Sequence, residues 1–175
     1  LEEETVFIDE IKHSSAALLK LINDILFLSR LDAGMITINH KPIDFAKSID
    51  LRSKDAWASH QVEGVDYIIK NPYKKLVIEI DEPNVAMVLD KIVTNAAQNT
   101  KKGHLLVRYD YIGDELLVSV EDTVSGIPEA AIKHIFERFV TGANTGAGLG
   151  LSICHELINY MGGEIQLKST EGKGS

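Results

Sequence analysis

Residues 122–151 read DTVSGIPEAAIKHIFERFVTGANTGAGLGL and carry most of the pattern that decides the fold. Asp122 ends a predicted strand and precedes a glycine turn, so its carboxylate could accept a hydrogen bond from an exocyclic amine such as that of adenine, or act as a local cap. Gly146, Gly148 and Gly150 precede an apolar helix. Glycines there let backbone N–H groups approach a phosphate, and the helix N-terminus adds favourable partial charge. A flexible glycine turn would show the same pattern, so neither signal is specific alone.

Two other segments have residue types suited to a nucleotide site. Asn95 lies in the middle of a predicted helix among apolar neighbours, where asparagine has poor helix propensity. Its amide oxygen is a hard ligand that suits a magnesium ion carried by a nucleotide, although an asparagine that ties two backbone segments together is a common alternative. Residues 135–139, IFERF, lie just before the glycine-rich segment. They would pack as a hinge for a loop over the nucleotide, or as ordinary helix core.

The spacing of apolar, glycine and proline residues predicts a mixed order of strands and helices after Gly34. Strands are predicted over 35–39, 65–70, 76–80, 104–111, 115–121 and 164–169, and helices over 44–59, 81–99, 128–139 and 147–161. Asp44 can cap the first of these helices, Asp81 is expected to cap the second, and Gly113-Asp114 is expected to form a hairpin turn. Because strands and helices do not alternate strictly, this order predicts a mixed-sheet α/β layer fold rather than a doubly wound one.

The first segment predicts one long helix, from about Glu3 to Ala33, that ends where Gly34 occupies a C′ position. Its apolar face follows a heptad seam with spacings of three and four residues, formed by Ile8, Ile11, Ser15, Leu18, Ile22, Ile25 and Ser29. Leucines on both sides make this face wider than a two-stranded coiled coil needs, which favours a helical bundle. A long amphipathic helix that lies on its own domain is the alternative.

Composition and charge limit the classes of function. The chain has 175 residues, 45% of them hydrophobic, and 18 Lys and Arg residues against 26 Asp and Glu residues, for a net charge of −8. This acidic balance argues against binding to nucleic acid or to an anionic membrane surface. The single Cys154 cannot form an internal disulfide, and no apolar run approaches the ~18 residues of a membrane span. We therefore expect a cytoplasmic location and no membrane contact by this segment, with anchoring by other parts of a longer protein left open.

In order and spacing, these segments resemble the catalytic, ATP-binding domain of sensor histidine kinases. Asn95-Ala96 resembles the N box, Asp122–Pro128 the first glycine box, Phe136–Phe139 the F box and Gly146–Leu151 the second glycine box. The resemblance implies an α/β (α+β) two-layer sandwich of the Bergerat type, with a mixed sheet, over residues 35–175. Residues 1–34 are similar to the second helix of the dimerisation and histidine-phosphotransfer hairpin.

The resemblance also implies an activity and its participants. In the full-length protein, a histidine kinase would transfer the γ-phosphate of ATP to a histidine, for relay to an aspartate of a response regulator or receiver domain. The implied cofactors are ATP and Mg²⁺, and the implied assembly is a homodimer through the N-terminal helix. The implied nucleotide-binding residues are Asn95, Asp122, Gly126, Ile127, Phe139, Gly146, Gly148, Leu149 and Gly150, with Asn95 on the metal and Asp122 on the adenine amine.

The phospho-accepting histidine of that family lies in a His-Glu/Asp-x-Arg-x-Pro context, which this chain lacks. His13 is followed by two serines, and His155 by Glu156 without the arginine and proline. We interpret both histidines as surface or packing residues. No catalytic residue is therefore expected on this chain, and the chain alone is not expected to autophosphorylate.

Two alternative functions follow from the departures and from the fold. Lys91, Gln98 and Val124 replace the usual asparagine, cation and glycine of the boxes, which supports a degenerate signalling module that dimerises and catalyses weakly or not at all. Another ATPase with the same nucleotide-binding fold, of the chaperone, topoisomerase or mismatch-repair type, is the second alternative. The helix that ends in Ser29-Arg30-Leu31-Asp32 and the F box count against the second alternative.

Overall fold

The computed structural model describes residues 2–58, 63–123, 126–141 and 147–175. The chain divides into two compact units, residues 1–36 and residues 37–175. Within the described ranges, no helix combines the length and the apolar character that crossing a membrane requires.

The first unit is built on helix α1, Glu2–Asp32, which is about 46 Å long at 1.5 Å per residue. Gly34, with a φ of 65°, ends it in a Schellman motif: the Gly34 N–H donates to the Leu31 carbonyl at 3.0 Å, and the Met35 N–H donates to the Arg30 carbonyl at 2.9 Å. The predicted long helix and its C′ glycine are thus confirmed. The apolar side chains of the heptad seam are exposed at positions 8, 11, 18, 22 and 25.

The second unit contains five strands and four helices within the described residues. In chain order these are β1 (Lys41–Asp44), α2 (Phe45–Ala58), β2 (Val65–Lys70), β3 (Val77–Ile80), α3 (Glu82–Asn99), β4 (Gly103–Ile112), β5 (Glu115–Asp122), α4 (Glu129–Ile132) and α5 (Gly150–Tyr160). Strand β4 pairs parallel with β2 and antiparallel with β5, while β1 and β3 form an antiparallel pair. The predicted mixed sheet is confirmed.

Local signals define the hairpin and α3. Ile112 pairs with Glu115, so Gly113 and Asp114 form a two-residue turn, and Gly113 supplies the positive φ, 65°, that such turns need. Asp81 caps α3, because its carboxylate accepts a hydrogen bond from the Asn84 N–H at 3.1 Å.

The core lies between the three-stranded sheet and helices α2 and α3. Its most deeply buried members include Ile49 on α2, Val93 on α3, and Leu105 and Val107 on β4. Tyr109 extends the same face of β4, and its burial, together with the nearby Asp50 carboxylate, raises the pKa of the phenol to about 12. Helix α5 packs against α3, so α3 is the central helix of this unit.

Two predicted strands are not found at their predicted positions. Residues 35–39 alternate in the sequence, but the strand starts at Lys41, where pairing with Ile80 on β3 begins. Residues 164–169 keep an alternating burial pattern without a ladder partner among the described residues. Alternation therefore identified strand-like faces, whereas pairing decides which of them become strands.

Two predicted helices are shorter than expected. The helix predicted over 128–139 ends at Ile132, and single turns follow, with hydrogen bonds from the His134 N–H to the Ala131 carbonyl and from the Glu137 N–H to the His134 carbonyl. Helix α5 begins at Gly150 rather than Ala147. The apolar spacing of the sequence continues beyond Ile132, where Phe136 packs on His155 of α5 without being part of a helix.

Candidate functional site

Asp122 lies at the end of β5, on the face of the sheet that carries the helices. Its register partner on β4 is Leu105, and two residues earlier Val120 pairs with Val107. Leu105 and Val107 are fully buried in the core. Because alternate residues share one face of a strand, and paired residues share one face of a sheet, the half-buried Asp122 faces the same side as these core residues. Helix α3 contacts β5 on this side.

Backbone contacts hold the position of Asp122. Its N–H donates to the Ser175 carbonyl at 2.9 Å, and the Ser175 N–H donates to the Asp122 carbonyl at 3.3 Å. On the next residue, the Thr123 hydroxyl accepts a hydrogen bond from the His104 N–H at 2.8 Å. The carboxylate therefore projects from a backbone that is fixed by neighbours in both directions.

The first glycine segment packs against the last residues of the chain. Gly126 has a φ of 66°, and a Cβ at this position would lie 2.1 Å from the Thr170 carbonyl oxygen. The Ile127 N–H donates to the Ser169 hydroxyl at 2.8 Å. Glycine is thus required here for close approach by the chain's own backbone, and its role toward an adenine ring stays a prediction.

Asn95 lies on the exposed side of α3. Its neighbours Val93, Ala96 and Ala97 are buried, and helical geometry turns the Asn95 side chain away from them into solvent. The Asn95 carbonyl accepts a hydrogen bond from the Asn99 side-chain amide at 2.7 Å. In the part of the chain that the structure describes, no three His, Cys, Asp or Glu residues lie close enough together to hold a metal ion.

The second glycine segment leads into α5. Leu149 is the N-cap residue, and its apolar side chain cannot satisfy the N–H groups of the first turn. A Cβ on Gly150 would meet no atom within 4 Å, whereas a Cβ on Gly148, where φ is 67°, would lie 2.6 Å from the Val140 carbonyl oxygen. Gly148 therefore serves the fold, while among the described residues Gly150 leaves open space beside a helix N-terminus that Leu149 does not cap. Gly146, the first glycine of the predicted set, lies outside the described residues.

Phe139, the last residue of the F box, contacts the second glycine segment just before α5. Its N–H donates to the Gly148 carbonyl at 2.9 Å, and its side chain is 64% exposed. Its φ of 66° is in the left-handed region, which costs a residue with a Cβ roughly 1–2 kcal/mol. A bulky residue in this conformation has to be held there by its surroundings.

The histidines behave as the sequence predicts, and one of them reveals a contact that the sequence does not. His13 is exposed on α1, while His155 on α5 stacks on Phe136 with ring centroids 5.0 Å apart. Beside this stack, Arg138 and Glu156 form a bidentate ion pair. The sequence allowed a packing role for His155, but it gave no signal for the ion pair between Arg138 and Glu156.

Residues 80–175 match the family model of histidine kinase-, DNA gyrase B-, and HSP90-like ATPases. Because this match spans more than half of the chain, the chain belongs to that family.

Within the family, the relatives are sensor histidine kinases. The chain is 32% identical over 173 residues to the sensor histidine kinase WalK of Bacillus subtilis, covering 94% of this chain and 28% of WalK. It is 29% identical over 184 residues to the aerobic respiration control sensor protein ArcB of Escherichia coli, covering 99% of this chain and 23% of ArcB. The chain thus spans less than a third of either relative.

Solved structures agree with this assignment. Full-length ShkA, crystallised in complex with AMPPNP, superposes with a TM-score of 0.82 at 28% identity over 98% of this chain and 37% of ShkA. The histidine kinase AdeS of Acinetobacter baumannii has a TM-score of 0.78 over 97% of this chain and 80% of AdeS, and at 20% identity it supports the fold alone. Residues 80–175 thus belong to an ATPase domain of the type found in sensor histidine kinases.

Proposed function

We propose that this chain is the nucleotide-binding catalytic region of a sensor histidine kinase. The domain binds Mg-ATP, and the whole protein passes the γ-phosphate to a histidine outside this chain and then to an aspartate of a response regulator. The observation that carries the proposal is the position of Asp122, at the end of β5 and on the face covered by α3, in a chain that belongs to this ATPase family. The chemistry needs positioning and electrostatics more than covalent participation by the protein.

Each predicted site residue has a role in this proposal. Asp122 accepts a hydrogen bond from the adenine amine, with Gly126 and Ile127 beside the base. The uncapped N-terminus of α5 receives the phosphates, since its first-turn N–H groups lack an acceptor from Leu149 and Gly150 leaves room for close approach. Residues Phe139, Gly146, Gly148, Leu149 and Gly150 form this phosphate side.

Asn95 is the proposed protein ligand of Mg²⁺. Its exposed amide oxygen fits an ion that keeps several waters and is bound mainly through substrate phosphates. When bound, the ion neutralises phosphate charge during transfer. The role of Asn95 is to orient the phosphates that carry the ion.

Asp122→Asn is expected to weaken the binding of ATP and ADP to the same extent, because both carry the same base. Loss of a charge-assisted hydrogen bond costs about 1.5–3 kcal/mol, or roughly ten- to a hundredfold in affinity. Titration calorimetry with each nucleotide measures the change.

The matched control for Asp122→Asn is Asp114→Asn, which removes an equal charge from an exposed turn. Asn95→Ala serves as a second comparison, because it should reduce the effect of Mg²⁺ on ATP binding and leave metal-free ADP binding intact. Normal binding by both Asp122→Asn and Asn95→Ala would place the nucleotide elsewhere.

We further propose that residues 1–34 are part of a dimerisation and phosphotransfer hairpin and that residues 35–175 are the ATP-binding domain. The exposed seam of α1 is the surface that a partner helix would cover in a homodimer. In the full-length protein, the hairpin would supply the histidine that accepts the phosphoryl group.

Ile22→Asp is expected to shift the chain from dimer toward monomer. Ile22 lies in the seam, and an unpaired carboxylate there loses hydration if a partner helix covers it. Sedimentation velocity over a range of concentrations measures the shift. Asn23→Asp adds the same charge one residue later, away from the seam, and should sediment like the wild type. A wild-type chain that remains monomeric at high concentration would contradict the proposed dimer.

A further inference from the structure

An unassigned pair of contacts joins the F box to α5. The Arg138 Nε atom lies 2.8 Å from Glu156 Oε1, and Arg138 Nη2 lies 2.6 Å from Glu156 Oε2. A second pair of side chains lies beside the first: Phe136 stacks on His155, with 22° between the ring planes. We call the Arg138–Glu156 pair and the Phe136–His155 stack together the clasp.

The clasp is better built than an ordinary surface ion pair. The Arg138 and Glu156 side chains are 37% and 26% exposed, so both are partly withdrawn from water. Two parallel hydrogen bonds fix the plane of the guanidinium relative to the carboxylate, which a single contact does not do. The clasp therefore defines an orientation of the segment before Phe139 as well as a distance.

The segment that the clasp holds has little regular structure of its own. Helix α4 ends at Ile132, and single turns lead to Phe139, which has a left-handed backbone conformation. Such a segment needs tertiary contacts to hold one conformation. Arg138 directly precedes Phe139, so the ion pair holds the residue next to the one with the left-handed backbone.

This position connects the clasp to the second glycine segment. The Phe139 N–H donates to the Gly148 carbonyl at 2.9 Å, and the space of a Cβ on Gly148 is filled by the backbone of residues 139 and 140. Gly148 is two residues before Gly150, where α5 begins. A shift of Phe139 would therefore move the backbone that presents the N–H groups of the α5 N-terminus.

We propose that Arg138 and Glu156 are positioning residues for the phosphate groups of the bound nucleotide. They act through Phe139 and Gly148, without touching the nucleotide, by holding the entrance to α5 in the conformation that receives phosphate. This inference rests on the proposed nucleotide site. It deepens that proposal by dividing the site into an adenine side that is independent of the clasp and a phosphate side that depends on it.

The test compares ligands that differ only in phosphate. In Glu156→Gln and in Arg138→Lys, which keeps the charge but loses the fork, affinity for ATP and ADP is expected to fall about tenfold, because small misplacements of a phosphate site are costly. Affinity for adenosine, measured by NMR titration at millimolar concentrations, is expected to stay within about twofold. Hydrogen exchange of the Phe139 amide is expected to accelerate in both variants.

Arg108→Gln is the matched control, since Arg108 pairs with Glu121 on the sheet, away from the F box. Equal losses for ATP and adenosine would show a general structural effect and overturn the proposal. If the wild type binds ATP and both Glu156→Gln and Arg138→Lys bind it with the same affinity, the positioning role of the clasp would also be overturned. A wild-type chain that binds neither ATP nor adenosine would instead refute the proposed function itself.

Discussion

Gly148→Ala is expected to destabilise the ATPase domain by about 2–5 kcal/mol and to abolish detectable ATP binding. Two costs add: the left-handed backbone at φ 67° costs roughly 1–2 kcal/mol for a residue with a Cβ, and forcing an atom into a filled space costs about 1–3 kcal/mol more. The crowding is with backbone, since the Cβ would lie 2.6 Å from the Val140 carbonyl oxygen, so no side chain can rotate to relieve it. Urea unfolding and calorimetry with ATP measure the two effects.

Two other glycines separate the causes. Gly113 has nearly the same φ, 65°, but a Cβ there would meet no atom within 4 Å, so Gly113→Ala reports the backbone cost alone. Gly150 also has open space and begins a helix, so Gly150→Ala should fold with little change in stability and yet hinder a phosphate that approaches the α5 N-terminus. If Gly148→Ala were no less stable than Gly113→Ala, the close packing of Gly148 on Phe139 and Val140 would be wrong.

Parts of the fold that depend on neighbours in sequence could be predicted from sequence. The Schellman end at Gly34, the hairpin turn at Gly113 and the cap of α3 by Asp81 each rest on one or two residues with a special conformation or hydrogen bond. Long apolar periodicity likewise identified α1 and α3. The residues that define these elements lie within them or next to them in the sequence, so the predicted bounds agree with the structure within a residue or two.

Parts that depend on distant residues could not. The strand that begins at Lys41 is positioned by its pairing with Ile80, and residues 164–169 alternate correctly but have no strand partner in the described ranges. The helix predicted to continue to Phe139 stops at Ile132, because the residues that follow pack through a ring stack and an ion pair with α5. Periodicity alone does not distinguish such packing from a helix.

The candidate site divides in the same way. Asp122 and Asn95 were identified by residue type and by their place at a strand end and on a helix, and the structure places them on elements that touch. Glu156 could not be identified, because a glutamate on an amphipathic helix has no signal until its partner is known. The role of Gly126 beside the adenine base stays a prediction, and its close approach to the backbone of Thr170 has no local pattern that would reveal it.

Asp81→Ala is expected to destabilise the second unit by about 2–4 kcal/mol at pH 7. The carboxylate is only 4% exposed and accepts two backbone hydrogen bonds, from the Asn84 N–H in its own helix and from the Asn39 N–H at 2.7 Å. Alanine removes the helix cap and leaves the Asn39 N–H without its acceptor, and each loss costs about 1–2 kcal/mol. Thermal or urea unfolding measures the difference.

The destabilisation should also depend on pH, in a direction that follows from the pKa of Asp81. Burial raises this pKa. The hydrogen bonds from Asn39 and Asn84 and the nearby His40 lower it by more than burial raises it, so the folded-state pKa lies below its usual range. The charged form thus stabilises the fold fully above the unfolded pKa of about 3.9, and this contribution is lost as pH falls through the folded value. The stability gap between wild type and Asp81→Ala should therefore be constant near neutral pH and narrow below about pH 4.

Two variants test whether that gap comes from the pair of hydrogen bonds. Asp81→Ser can still cap α3, but serine is too short to keep both hydrogen bonds. Its stability at pH 7 should lie between those of wild type and Asp81→Ala, and it should depend less on pH below about pH 4 than the stability of the wild type does. Asp90→Ala removes an exposed carboxylate from the same helix and should change stability by less than about 0.5 kcal/mol. A gap between wild type and Asp81→Ala that stayed constant from pH 7 to pH 3 would mean that the Asp81 charge does not hold Asn39 and Asn84. The connection of residues 37–40 to the start of α3 would then rest on packing alone.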